Sequence, residues 1–345
     1  MKAAVFHAPL DLRLEDREVP KARGNQIVVK VEVSALCPSD VRIYRNGSSN
    51  VKPPVTMGHE FAGYVSEVGA DVEGISDGEK VTLPADAYCG KCLMCRKGHE
   101  NLCEDAISFG YNADGGHADY VLVPQRFVDR GGVFPLAADI DYEEAAMTEP
   151  LACSLNTIET LGTSVGKTVA IIGDGPMGLM HVGLAKVYGA SQIILAGLVD
   201  WKLKLGAEFG ATDLVNGREQ DAVKAVRDST NARGADITVV TAVTPETVVQ
   251  GLKMVSRRGF VSIFGGTPKG VTVQFEPNIV HYNEIFLTGN SAYTYAQYSK
   301  ASQIIAAHKI MLKKLVSHRL KLEQIFEALK IWDDKEKSMK IVLTR

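Results

Sequence analysis

Thr168-Val169-Ala170-Ile171-Ile172 is a short apolar run that meets Gly173-x-Gly175-x-x-Gly178, and a helical pattern follows through Tyr188. This strand–turn–helix unit constrains the fold more than any other stretch of the chain. The first glycine permits a tight turn, the second lets backbone approach a pyrophosphate, and the third lets helix pack on strand. Phosphates then sit at the helix N-terminus, where free N–H groups surround the Gly175-Pro176-Met177 loop. The pattern is weak alone, and its strand and helix context makes it specific. Further strand-like runs follow at 192–196, 237–241 and 260–264, with helical stretches between. Strands alternating with helices predict an α/β fold with a parallel, doubly wound sheet.

A dinucleotide site of this kind usually carries an acidic residue about 20 positions on, at the end of the second strand, to grip the ribose hydroxyls. Here that position is Gly197, followed by Leu198, Val199 and Asp200. No carboxylate stands at the strand end to repel a 2′-phosphate. No arginine follows directly to bind one, although Lys202 and Lys204 are near. Asp200, folding back, could accept the ribose hydroxyls.

The first 150 residues have a different character. Residues 26–33 alternate late in the run as a half-buried strand does, and 65–68 and 120–123 read the same way between Gly and Asp turn signals. The last fifty residues read as one or two helices and a final strand at 339–344. At roughly 100–200 residues per domain, 345 residues suggest two domains.

Four of the six cysteines fall in one segment, Cys89-x2-Cys92-x2-Cys95-x7-Cys103. Four thiolates at this spacing can close a tetrahedral shell around Zn²⁺ with no open position, which staples a loop and does no catalysis. An iron–sulfur site is the weaker competitor. A disulfide framework is unusual in a chain this long whose N-terminus reaches Pro9 and then charges too soon for a signal peptide. The expected setting is a reducing cytoplasm. A third set of metal-ligand types is scattered: Cys37-Pro38-Ser39-Asp40, Gly58-His59-Glu60 and Glu149-Pro150. Three protein ligands plus one water make a catalytic zinc site. Spacing alone does not join these residues. Singly, Cys37 reads as a buried thiol and His59 as a satisfied core imidazole.

Composition narrows the partners. With 38 basic and 41 acidic side chains the formal net charge is −3, which gives no electrostatic footprint for nucleic acid or an anionic membrane. Hydrophobic residues at 46% exclude disorder over most of the length. No apolar run is long enough to predict a transmembrane helix.

With these residues in view, the whole chain resembles the zinc-dependent medium-chain alcohol dehydrogenases, in the polyol (sorbitol-like) and threonine dehydrogenase branch. Gly58-His59-Glu60-x2-Gly63-x5-Gly69-x2-Val72 fits that family's zinc signature. So do the Cys89–Cys103 segment, the stretches 115–121 and 147–152, and the C-terminal residues around Lys309-Ile310 and 315–319. The resemblance implies a GroES-like, β-rich catalytic domain over 1–152 with its structural zinc lobe at 89–103. It implies a Rossmann cofactor domain over 153–290 and a C-terminal return, 291–345, to the first domain. It implies two zinc ions per subunit, the catalytic one on Cys37 and His59 with Glu149 or Glu60 completing the shell. Ser39 falls on the family's proton relay and Asp40 on the carboxylate that orients a ligating imidazole. Pro38 replaces the family's usual glycine beside the ligand cysteine, which stiffens that turn. Gly197 replaces its usual aspartate. Cys153 has no role in the family pattern, and His99 reads as solvated. Tyr44 and Phe109 are candidates for the pocket wall or for core packing.

The activity implied is hydride transfer between a secondary alcohol, most simply a polyol or sugar-derived one, and a nicotinamide cofactor, NAD ahead of NADP. Alternatives are an amino-alcohol dehydrogenase of the L-threonine 3-dehydrogenase type and a polyol-phosphate dehydrogenase with a basic pocket drawing on Arg42, Arg45 and Lys52. A zinc- and nucleotide-binding protein without catalysis is the reading from another class. The expected partners are a small-molecule alcohol or ketone and further copies of the chain, as a homodimer or homotetramer.

Overall fold

The computed structural model describes residues 1–345, which divide into two compact units. One comprises Met1–Pro150, Thr294–His308 and Leu312–Arg345, and the other comprises Leu151–Tyr293 and Lys309–Met311.

The first unit is built on a seven-stranded sheet whose centre is Ile27–Ala35. That strand has nine residues, enough for three partners. Glu60–Val68 runs antiparallel along one edge. The other edge is shared, with Tyr120–Val123 pairing its first half and the final strand, Lys340–Thr344, pairing Val33 to Ala35. Lys340–Thr344 then pairs in parallel with Val316–Lys321. The alternation legible around 26–33 puts Val29 and Val31 inside, where they pack with Phe61, Val65, Val81 and Phe127. Burial of each such side chain is worth about 1.5–3 kcal/mol. Phe109 stacks on Phe127 with centroids 4.3 Å apart and is fully buried, so it belongs to this core and not to a pocket wall. A smaller sheet of Asp11–Asp16, Lys2–Ala8 and Val55–Thr56 lies in the same unit.

Several strands of this unit escape the sequence pattern, and two show why. In Lys2–Ala8 the consecutive residues Ala3, Ala4, Val5 and Phe6 are all buried, so the strand shows no alternation. Val316–Lys321 is an edge strand rich in charge, VSHRLK, so it carries no apolar period.

The second unit is a six-stranded, wholly parallel sheet. Its order is Asp213–Asn216, Gln192–Gly197, Thr168–Ile172, Ala235–Val240, Val255–Ile263, Phe286–Gly289. The first strand in sequence is thus third in space, and chain order reverses between it and Ala235–Val240. Ligands of such sheets bind outside the carboxyl ends of the strands at this reversal. Apolar side chains fill the sheet interior, among them Ile172, Ile194, Val240 and Val261. No helix of the protein is long and apolar enough to cross a membrane.

Candidate active site

Cys37 caps the helix Pro38–Asn46. Proline suits the first helical turn because its φ is already helical and it has no N–H to leave unpaired. Asp40, at the third helical position, reaches back and accepts the Cys37 backbone N–H at 2.9 Å. The sheet register sets Ala35 opposite Glu60. Cys37, two residues beyond Ala35, therefore meets His59 and Glu60 at the start of the paired strand. The ligand atoms of Cys37, His59 and Glu60 all lie within 4.8 Å of one another. Sulfur, nitrogen and oxygen donors so grouped are a zinc ligand set.

Burial pushes the Cys37 thiol up, and the Glu60 carboxylate adds to it. Glu149, which opens the helix Thr148–Thr160, is buried and lies outside the 4.8 Å set. Burial raises its pKa to about 7; the charges of Glu60 and Asp86 add to this, against His59 and Lys340. Lys340, on the final strand, forms an ion pair with Glu60 in which neither side chain is more than 3% exposed.

Supports surround the donors. The Asp40 carboxylate lies 3.5 Å from His59 Nδ1 and 3.5 Å from His117 Nε2. Burial disfavours its charge, but the two imidazoles outweigh burial and hold Asp40 far below the usual carboxylate range. His117 Nδ1 is 3.0 Å from Ser34 Oγ. The Arg345 guanidinium donates to the carbonyls of Gly116, at 2.6 Å, and Ala118, at 2.9 Å, pinning His117 from both sides. Ser39 Oγ lies 3.4 Å from His59 Nε2, and the Tyr111 ring is 5.9 Å from the His59 ring.

Elsewhere in this unit, Cys89, Cys92, Cys95 and Cys103 also bring their sulfurs within 4.8 Å of one another. Backbone amides point at them. Cys89 Sγ accepts from Lys91 and Cys92, Cys92 Sγ from Cys95, and Cys103 Sγ from Cys89 and Asp105, at 3.3–3.5 Å. Amides from Cys95 and Glu104 lower Cys92 to about 6. N–H groups aimed at sulfur stabilise thiolates, the form that binds metal. The set fits a closed zinc site with no room for substrate. His99 caps the 3-10 turn Glu100–Leu102 and is not one of the four ligands.

In the second unit, a cleft of about 910 Å³ opens at the point of strand reversal, lined in part by Gly173, Asp174, Gly197, Ala242 and Lys253. Gly173 has φ +122°, and a Cβ on Gly178 would stand 1.8 Å from the Gly173 carbonyl oxygen, so both positions need glycine. Gly175 has open space where a side chain would be, and it caps the helix Pro176–Val187 without a side-chain hydrogen bond. A bare helix N-terminus beside an open glycine fits a pyrophosphate. Two candidates for ribose contact are already engaged within the protein. Asp200 accepts from Asn216 Nδ2 at 2.7 Å, on the strand that pairs with Gly197, and Lys202 is buried beside the Trp201 ring.

Sequence reasoning missed Lys340, His117 as a partner of Asp40, and Tyr111. Lys340 had one usable signal, a lysine heading an otherwise apolar strand, KIVLT. His117 stood in the stretch 115–121 that fits the family, without a sign of its partner, and Tyr111 had no signal; only the fold brings His117 to Asp40 and Tyr111 to His59.

Residues 23–130 match the alcohol dehydrogenase GroES-like domain, and residues 176–307 match the zinc-binding dehydrogenase domain. The chain is 33% identical over 333 residues to the sorbitol dehydrogenase of Bacillus subtilis (strain 168), covering 95% of this chain and 92% of that protein. It is 32% identical over 325 residues to the L-threonine 3-dehydrogenase of Pyrococcus horikoshii, covering 92% of this chain and 91% of the other. Among solved structures, one from Sinorhizobium meliloti 1021, described as a zinc-binding dehydrogenase bound to NADP, superposes with a TM-score of 0.92. It is 30% identical, with 100% of this chain and 99% of that chain covered.

Proposed function

We propose that this chain, which belongs to the zinc-dependent medium-chain alcohol dehydrogenase family, oxidises a secondary hydroxyl of a polyol or sugar-derived alcohol to a ketone, with NAD as hydride acceptor. The observation that carries this is the donor set Cys37, His59 and Glu60, with Glu149 and Lys340 buried beside it. A metal neighbourhood with two carboxylates and an ammonium is more polar than one built on a second cysteine, and can hydrogen-bond hydroxyls flanking the reacting carbon.

The roles follow from the side chains. Cys37 and His59 hold the catalytic zinc, and Glu60 or Glu149 supplies the third donor, with proximity favouring Glu60. Bound zinc supplies Lewis acidity that lowers the alcohol's pKa, and the nicotinamide supplies the hydride acceptor. Ser39 takes the hydroxyl proton outward. Asp40 orients His59. Cys89, Cys92, Cys95 and Cys103 hold a structural zinc. Gly173, Gly175, Pro176, Met177 and Gly178 cradle the cofactor's phosphates, and Gly197 lines the ribose end. The catalytic domain is residues 1–152, the cofactor domain 153–290 and the returning segment 291–345. The working form is a cytoplasmic homodimer or homotetramer.

An L-threonine-type activity is the second reading, favoured by the 32% identity to the Pyrococcus relative. The buried carboxylates could meet a substrate ammonium; no arginine is evident for its carboxylate. The test is NAD reduction by a polyol before and after substitution. Cys37→Ser and His59→Ala should abolish it with circular dichroism unchanged, and either variant keeping near-normal turnover would refute the assignment.

A further inference from the structure

We propose that Asp174, inside the glycine turn, supplies the carboxylate that grips the adenosine ribose and selects NAD over NADP, taking the place of an acid at the end of the second strand. This rests on the nicotinamide reading given above and assigns the residue behind its cofactor preference.

The strand Gln192–Gly197 ends where an acidic side chain would ordinarily start. A Cβ built on Gly197 would stand 2.5 Å from Asp174 Cβ and 2.6 Å from Asp174 Oδ2. The two positions share one space, so a carboxylate there comes from residue 174 or from residue 197, never both. Asp174 fills it. Its Oδ2 accepts the backbone N–H of Leu198 at 2.7 Å and of Val199 at 2.8 Å. These two bonds fix the carboxylate against the end of the second strand, and both fall on one oxygen. Oδ1 carries neither and remains for a ribose hydroxyl. The glycine at 197, which from sequence alone removes the ribose acid, is the residue that admits this one.

Asp174 lines the 910 Å³ cleft together with Gly173, Gly197 and Leu198. The other charged residues lining the cleft are Asp221, Glu246 and Lys253. Three acids against one base, with no lining arginine, oppose a 2′-phosphate, which such sites accommodate with an arginine. Asp200 is already held by Asn216 at 2.7 Å, and Lys202 is buried.

The test is fluorescence titration of the zinc-loaded full chain with NADH and with NADPH, without alcohol. The proteins are the wild type, Asp174→Asn, Asp174→Ala, Gly197→Asp, and the double variant Asp174→Ala with Gly197→Asp. The wild type should bind NADH at least ~10-fold tighter than NADPH, a difference of about 1.4 kcal/mol. Asp174→Ala should bring the two affinities within about threefold, chiefly by weakening NADH. Asp174→Asn keeps an oxygen for the Leu198 and Val199 amides but loses the charge. It should bind NADPH better than the wild type does, which a residue that only ties the turn would not produce. Gly197→Asp alone should weaken both ligands by overlap, and the double variant should regain the NADH preference. An unchanged NADH/NADPH ratio in Asp174→Asn and Asp174→Ala, or a wild type that prefers NADPH, would overturn the assignment while leaving the nicotinamide reading standing. A wild type that binds neither ligand would overturn both. If Asp174→Ala fails to fold, the ratio in Asp174→Asn decides.

Discussion

Lys340 and Glu60 form a buried ion pair in the first unit, one from the last strand of the chain and one from the first residue of the strand Glu60–Val68. Both side chains are out of water, and breaking such a pair from one side leaves an uncompensated buried charge that costs about 3–5 kcal/mol. In the zinc-free protein, Lys340→Met should therefore lose stability on that scale in urea denaturation. The double variant Lys340→Met with Glu60→Gln should recover part of it, because no naked carboxylate is left. A single variant as stable as the wild type would mean that Glu60 has another compensating partner.

The two metal sites should separate by substitution. Purified active protein should carry two zinc ions per subunit. Cys92→Ser should lose one and destabilise the Cys89–Cys103 segment, because a closed site contributes folding energy. Cys37→Ser should lose the other with the melting temperature little changed. Metal analysis with proteolysis of the segment reads both outcomes, and a fully active protein with a single zinc would refute the pairing of roles.

Asp40 touches both His59 and His117 and accepts the Cys37 amide. Removing its charge with Asp40→Asn should lower zinc affinity or turnover by about 10–100-fold, the usual effect of losing the partner that orients a metal ligand. Competition with a fluorescent chelator measures the affinity directly. An affinity within twofold of the wild type would make Asp40 a packing residue only.

Much of this was legible before the fold was known, for physical reasons that differ by region. The glycine turn and the strands around it declare themselves because a parallel sheet covered on both faces needs short apolar runs, and a pyrophosphate cradle needs glycines at fixed spacing. The four cysteines declare themselves because their ligands are neighbours in sequence. Cys37, His59 and Glu60 needed the family resemblance, since only the Ala35–Glu60 register joins them. Lys340, His117 and Asp174 stayed hidden for a common reason: each acts on a residue more than twenty positions away, and no local period marks a side chain by its distant partner. Gly197 was legible as an anomaly, but what fills its space was not.

His181 offers a pH test in the second unit. It lies inside the helix Pro176–Val187, with Nδ1 2.7 Å from the Met177 carbonyl and its ring edge-on to Phe264. Burial lowers its pKa to about 4, although the Met177 carbonyl favours the proton. Between the ordinary value near 6.5 and about 4, the unfolded chain binds a proton that the folded chain refuses. Folding stability from this group is therefore intact above about pH 6.5 and falls as pH drops through that window, by as much as ~3 kcal/mol. His181→Met should flatten this part of the pH–stability curve relative to the wild type. Parallel curves for the two proteins from pH 7 to pH 4.5 would show that the imidazole is free to protonate in place.

The most direct test of the account is steady-state kinetics of the zinc-loaded protein with NAD across polyols, polyol phosphates, L-threonine and ethanol. A site whose buried polar groups are built to meet flanking hydroxyls leaves those groups unpaired against a substrate that lacks them, and sites of that kind discriminate strongly. The best polyol or sugar-derived alcohol should exceed ethanol in kcat/KM by at least ~100-fold, about 2.7 kcal/mol at the transition state. Ethanol equal to the best polyol, or L-threonine ahead of every polyol and polyol phosphate, would contradict it.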